Sequence, residues 1–169
     1  MKFIISMMLI FFSALAFCEQ KATIEASLTA DSEFEKNIID GSDVIKEMAK
    51  SGVFSKEPTE RADYVSYYFP QTETHVFGYK LVYFDYEYSE EYIGCCVDPG
   101  TAIVIQVMPN KNLASIENFA KNNHCSIKKE EQIYMPNSIK EKIVKNGISI
   151  SNIVEVSCKE RDRRHFEDM

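Results

Sequence analysis

Two runs of β-branched and aromatic residues, joined by an acidic, cysteine-bearing connection, constrain this chain more than any other feature. In the first run, from Val76 to Tyr88, residues sort by parity: Phe77, Tyr79, Leu81 and Tyr83 fall on one face, and Val76, Val82, Phe84, Tyr86 and Tyr88 on the other. The second, Thr101 to Met108, is dominated by Ile103, Val104, Ile105 and Val107. Both faces are substantially apolar, so these runs are expected to form central strands. Between them, Asp98-Pro99-Gly100-Thr101 carries type II turn chemistry, with proline where φ near −65° is wanted and glycine where φ must be positive. The preceding residues, Tyr92 to Val97, are then a candidate short strand.

The rest of the chain supplies helices and outer strands. Ser32 and Glu35 form a capping-box signature, with Phe34, Ile38 and Ile39 at helical spacing until Asp40-Gly41 interrupts. From Ser42 onward Val44, Ile45, Met48 and Ala49 share a side, and Gly52 stands where a left-handed cap is expected. Tyr64 to Phe69 reads as a strand ending at Pro70. Asn112 can cap a helix in which Leu113, Ile116, Phe119 and Ala120 share a face, to end near Asn122 or Asn123. Cys125 to Tyr134 is a polar strand candidate near an edge, because Lys128, Lys129, Glu130 and Glu131 run together. Ser138 with Glu141 gives a second capping box, with Ile139 and Ile143 buried and Gly147 closing the helix. Ile148, Ile150, Ile153, Val154 and Val156 form the last strand. The expected fold is a single α+β domain over residues 31–158: a mainly antiparallel sheet of about five strands, with three or four short helices, stapled by disulfides. Residues 19–30 are expected to be a flexible leader and residues 159–169 a frayed, highly charged tail.

Lys2 followed by an apolar run from Phe3 to Cys18, broken only by Ser6 and Ser13, is the pattern of a secretory signal over residues 1–18. The run meets Glu19, Gln20 and Lys21 too soon for the roughly 20 apolar residues that span a bilayer comfortably, which leaves an uncleaved anchor as the second choice. Cleavage can follow Ala16 or Cys18. The second leaves Cys95, Cys96, Cys125 and Cys158, an even set suited to an oxidising compartment, so the expected location is periplasmic or secreted. Lipidation of Cys18 is disfavoured because Phe17 occupies the place of the usual small residue. Losing residues 1–18, whose only charge is Lys2, changes the net charge from −7 to −8. Nucleic acid and anionic membranes are poor partners for such a surface.

Adjacent strand residues point to opposite faces, and a bridge between neighbours strains the intervening peptide, so Cys95 and Cys96 are expected to pair with Cys125 and Cys158. Cys125 opens one candidate strand and Cys158 closes another. They come close only if those strands run antiparallel. A direct Cys125–Cys158 bridge with a vicinal Cys95–Cys96 pair satisfies the same topology. A redox or metal site is the functional alternative, but no C-x-x-C spacing is present.

No motif fixes a reaction. His75, His124 and His165 show no ligand spacing, and neither G-x-S-x-G nor H-E-x-x-H occurs, so no metal and no cofactor are expected. The candidate binding residues are Asp85, Glu87, Tyr88, Glu90, Glu91 and Tyr92. In a strand, Asp85 and Glu87 share one face and Tyr86 and Tyr88 the other, with Glu90 and Glu91 presented at a turn. Tyrosines offer large contact area and acids steer a basic protein partner toward it. Against this stands the plainer reading, in which the tyrosines pack under a helix and the acids are merely solvated. The functional expectation is an exported, acidic binding protein of inhibitor or immunity type. The alternatives are an exported hydrolase acting near Asp85, Glu87 or His124, and a structural component of an envelope complex.

Overall fold

The computed structural model describes residues 24–29, 41–88, 96–109 and 111–167. Helix α1 (Gly41–Lys50) is followed by strands β1 (Glu60–Ala62), β2 (Val65–Tyr68), β3 (His75–Val76), β4 (Tyr79–Glu87) and β5 (Gly100–Gln106). Then come α2 (Ala114–Asn122), β6 (Ser126–Lys129), α3 (Asn137–Lys145), β7 (Ile153–Ser157) and α4 (Glu160–Glu167), with 3-10 turns at Glu130–Gln132 and Ile150–Asn152. The strands make one sheet in the order β1-β2-β4-β5-β7-β6, with β3 on β4, and every pairing is antiparallel. The α+β class with a mainly antiparallel sheet is as the sequence implied.

The strand count is a correction, seven against about five. β1 and β3 span three and two residues, too few for a period to show in the sequence. Their turns were legible only in part. In the β3–β4 hairpin Val76 pairs with Tyr79, leaving Phe77 and Gly78 as a two-residue loop with φ of 53° and 75°. Positive φ at both positions is the type I′ geometry that suits strand twist. Phe77 therefore sits in a turn rather than a strand, held by its ring against Phe119 at 4.5 Å.

Both faces of the sheet are covered. On one, α1, α2 and residues 24–28 bury Val44, Met48, Leu81, Phe84, Ile103, Ile105, Ile116 and Val156. On the other, α3 places Ile139 and Ile143 against Tyr67, Phe69, Tyr83 and Val104. Each fully buried Ile or Phe stabilises by about 1.5–3 kcal/mol before entropy is set against it. The parity reading of β4 fails halfway. Leu81 pairs with Ile105 but Tyr83 with Val104, so Val82 is the extra residue of a bulge. Tyr79, Leu81, Phe84 and Tyr86 consequently share one face, and Val82 and Tyr83 both belong to the other.

Both terminal segments differ from expectation. Residues 24–29, assigned to a flexible leader, are docked: Ile24 and Leu28 are fully buried, Thr101 Oγ1 donates to the Ser27 carbonyl, and the Phe77 amide donates to Glu25 Oε1. The tail begins at Lys159, a largely covered residue, and continues as α4 rather than fraying there. At α3 the capping box is absent, since the helix begins at Asn137, after Pro136, with no side-chain cap, which places Ser138 inside the first turn. Gly147 does take a left-handed φ of 73°. The helix expected from Ser32 lies outside the described residues.

β6 and β7 are antiparallel, and Cys125 and Cys158 are bridged to each other, with Cα atoms 4.3 Å apart. This corrects the expected pairing of each with Cys95 or Cys96: the antiparallel register brings the start of β6 beside the end of β7, so the direct bridge forms instead. Cys96 is exposed, while Cys95 and most of the strand proposed for Tyr92 to Val97 fall outside the described residues.

A candidate site under the C-terminal helix

Alternation along β4 beyond the bulge sends Asp85 and Glu87 to the face that α3 covers at its other end. Asp85 stands between Tyr67 of β2 and Ala102 of β5, and Glu87 between Val65 and Gly100. Above them lies Lys159, the residue immediately after Cys158. Its ammonium is 2.9 Å from Asp85 Oδ1 and 3.1 Å from Glu87 Oε2. Two carboxylates thus share one cation. Side-chain exposures of 4% for Asp85, 12% for Glu87 and 13% for Lys159 show that the cluster is internal.

The backbone is shaped around this contact. Gly100 has φ of 138°, and a Cβ there would lie 2.7 Å from Lys159 Cα. Glycine at the predicted turn is therefore needed both for its dihedral and for the close approach of Lys159. Asp98 clamps both sides: its amide donates to Glu87 Oε1, and its Oδ1 accepts from the Arg161 amide. The Glu160 amide donates to the Pro99 carbonyl, and Ser157 Oγ donates to Asp162 Oδ2.

Electrostatics follow from burial. Desolvation raises the Asp85 pKa to about 6, against the pull of Lys159 and with help from Glu155 and Glu87. Burial alone would lower Lys159, but Asp85 and Glu87 reverse this and hold its pKa above the usual lysine value. The hydroxyls of Tyr67 and Tyr83 are raised chiefly by burial and secondarily by Asp85. Tyr83 Oη is buried without a hydrogen-bond partner among the described residues. Glu155, also on this face, is ion-paired to Lys128 at 3.0 Å.

The six candidate binding residues are therefore placed differently from one another. Asp85 and Glu87 are internal. Tyr88 is 52% exposed at the end of β4, with its ring stacked on Tyr86 at 5.8 Å and 6° between planes. Its amide donates to the carbonyl of Tyr64, itself 36% exposed, so the rim of the sheet is aromatic here. Gly41, at the start of α1, packs directly on the Tyr86 ring. Glu90, Glu91 and Tyr92 lie outside the described residues. Among the described residues no group of three or more His, Cys, Asp or Glu side chains could hold a metal ion. Sequence reasoning missed Lys159, Asp98 and Tyr67. The position of Lys159, one residue past a strand-ending cysteine, was the signal that could have found it.

Comparison of the chain with protein family models, with curated proteins and with solved structures finds no match.

Proposed function

We propose that this protein is a small exported acidic binding protein, of inhibitor or immunity type, that occludes a basic protein partner with the tyrosine-bearing end of β4 and the acidic residues that follow it. The observation that carries the reading is the separation of roles at that end. Asp85 and Glu87 are both engaged internally with the single ammonium of Lys159, whereas Tyr88 lies half-exposed on a stacked neighbour. A ring fixed by stacking loses little freedom on binding, which is what an interface anchor requires. Charge complementarity would then come from Glu90, Glu91 and the net −8 of the chain without residues 1–18. Export is supported by the apolar N-terminal run and by the Cys125–Cys158 bridge. Among the described residues no helix is long and apolar enough to cross a membrane.

The hydrolase alternative has less support. A carboxylate with pKa about 6 suits a general acid, but Asp85 lies under Lys159 where a substrate does not reach it. The test is capture by the immobilised mature chain from its native host, repeated with Tyr88→Ala and with Glu90→Gln/Glu91→Gln. A stoichiometric basic protein retained by the wild type and lost from the folded variants is the expected result. Retention that is indifferent to all three substitutions would overturn the assignment.

A further inference from the structure

Helix α4 is attached to the body of the protein in an unusual way. Its sequence, ERDRRHFE, contains one apolar residue. The contacts that hold its start are polar: Lys159 to Asp85 and Glu87, Arg161 N–H to Asp98, Glu160 N–H to Pro99, and Asp162 to Ser157. Lys159, the residue just before the helix, is what lies against Asp85, so the helix start and the cover over that carboxylate are joined in one segment. The buried cluster carries two carboxylates against one ammonium, a surplus of one negative charge in a poorly hydrated place.

We propose that Asp85 makes the docking of α4 proton-linked, so that uptake of one proton there converts an unbalanced triad into a balanced Glu87–Lys159 pair and tightens the helix against the sheet. The direction is the reverse of the usual loss of ion pairs in acid. It follows from counting: Lys159 keeps a full partner in Glu87 when Asp85 is neutral, while the ionised Asp85 adds only a second, desolvated charge. Undocking α4 gives Asp85 water, lowering its proton affinity. The docked state therefore binds the proton more tightly. Groups facing Asp85 are Tyr67 from β2, Tyr83 and Glu87 from β4, Glu155 from β7 and Lys159 itself. The two tyrosines stay neutral, and Glu155 has its own cation in Lys128. Asp98, raised by burial against the Arg161 hydrogen bond, reinforces the same sense.

The test is amide hydrogen exchange of residues 160–167 in the full mature chain, corrected for intrinsic exchange. Protection should rise by about tenfold between about pH 7 and pH 5, as expected for one proton bound with a midpoint near 6. Asp85→Asn should give high protection at both pH values. Glu87→Gln should shift the rise to lower pH, since removing the neighbouring negative charge lowers the Asp85 midpoint. His165→Gln should leave the response intact, separating it from the histidine in the same helix. Protection that is flat or falls toward acid in the wild type overturns the proposal, as does a response abolished by His165→Gln or retained undiminished in Asp85→Asn. If Asp85→Asn does not fold, a carboxyl-carbon NMR titration of wild-type Asp85 decides: a midpoint below about 4.5, near an unperturbed aspartate, overturns it.

Discussion

Lys159 holds two carboxylates, the buried Asp85 and the largely covered Glu87, with a single ammonium. Replacing it by methionine keeps much of the stem but leaves Asp85 and Glu87 facing each other without a cation. Breaking a buried pair from one side costs about 3–5 kcal/mol, and denaturant unfolding at neutral pH should show a loss of that order. Asp85 behaves in the opposite sense with pH. Its folded pKa is raised to about 6, so its contribution is fully present below the ordinary aspartate value and lost as pH rises through about 6. Stability should therefore fall toward neutrality by up to about 1.4 kcal/mol per pH unit in that window, and Asp85→Asn should flatten the dependence. A third substitution tests the backbone. Gly100→Ala places a methyl group 2.7 Å from Lys159 Cα at φ of 138°, and should cost more than 1 kcal/mol even though no side chain is lost. None of this follows from pattern reading, because the pairing of Asp85 with a residue beyond the final cysteine depends on which strand lies beside which. The requirement for glycine at position 100 was visible, but only its dihedral half.

At the level of elements, the chain announces its regular parts and conceals its irregular ones. α1 and α2 follow the spacing of Val44, Ile45 and Met48 and of Ile116 and Ala120. Asn112 Oδ1 accepts from the Ala114 amide, but the cap position of α2 falls one residue later than expected, at Leu113, which has no side-chain cap bond. β4 is legible as a strand, yet strict alternation joins Tyr79 and Leu81 to Tyr83 and Val82 to Phe84, each on the wrong face, because a bulge adds one residue without altering composition. The antiparallel pairing of β6 and β7 was legible from cysteine placement alone, since only that arrangement joins a strand's beginning to the next one's end. That bridge closes a loop of 33 residues. On chain-entropy grounds it should contribute about 3–4 kcal/mol, and the Cys125→Ala/Cys158→Ala variant should lose about that much in denaturant unfolding. Its position also matters, for it anchors Cys158 beside Lys159 while Cys125 lies against the carbonyl of Leu28. Burial of residues 24–29 was not legible, as Ile24 and Leu28 stand too isolated among polar residues to announce a helix.

For the molecule as a whole, the sheet is covered on both faces, and among the described residues the exposed aromatic rings are Tyr64 and Tyr88 at the rim beyond β4 and, apart from them, Tyr134. On the proposed function, charge and ring would act at different stages of binding: Glu90 and Glu91 on encounter, and the stacked Tyr88 on residence. The most direct measurement is the kinetics of the immobilised mature chain against the basic protein it captures, taken across ionic strength. Glu90→Gln/Glu91→Gln should slow association and flatten its salt dependence with dissociation little changed. Tyr88→Ala should speed dissociation by the equivalent of about 1–3 kcal/mol while the fold, read by denaturant unfolding, stays intact. Unchanged rates and unchanged salt dependence in the glutamine variant, together with unchanged dissociation in Tyr88→Ala, would contradict the account.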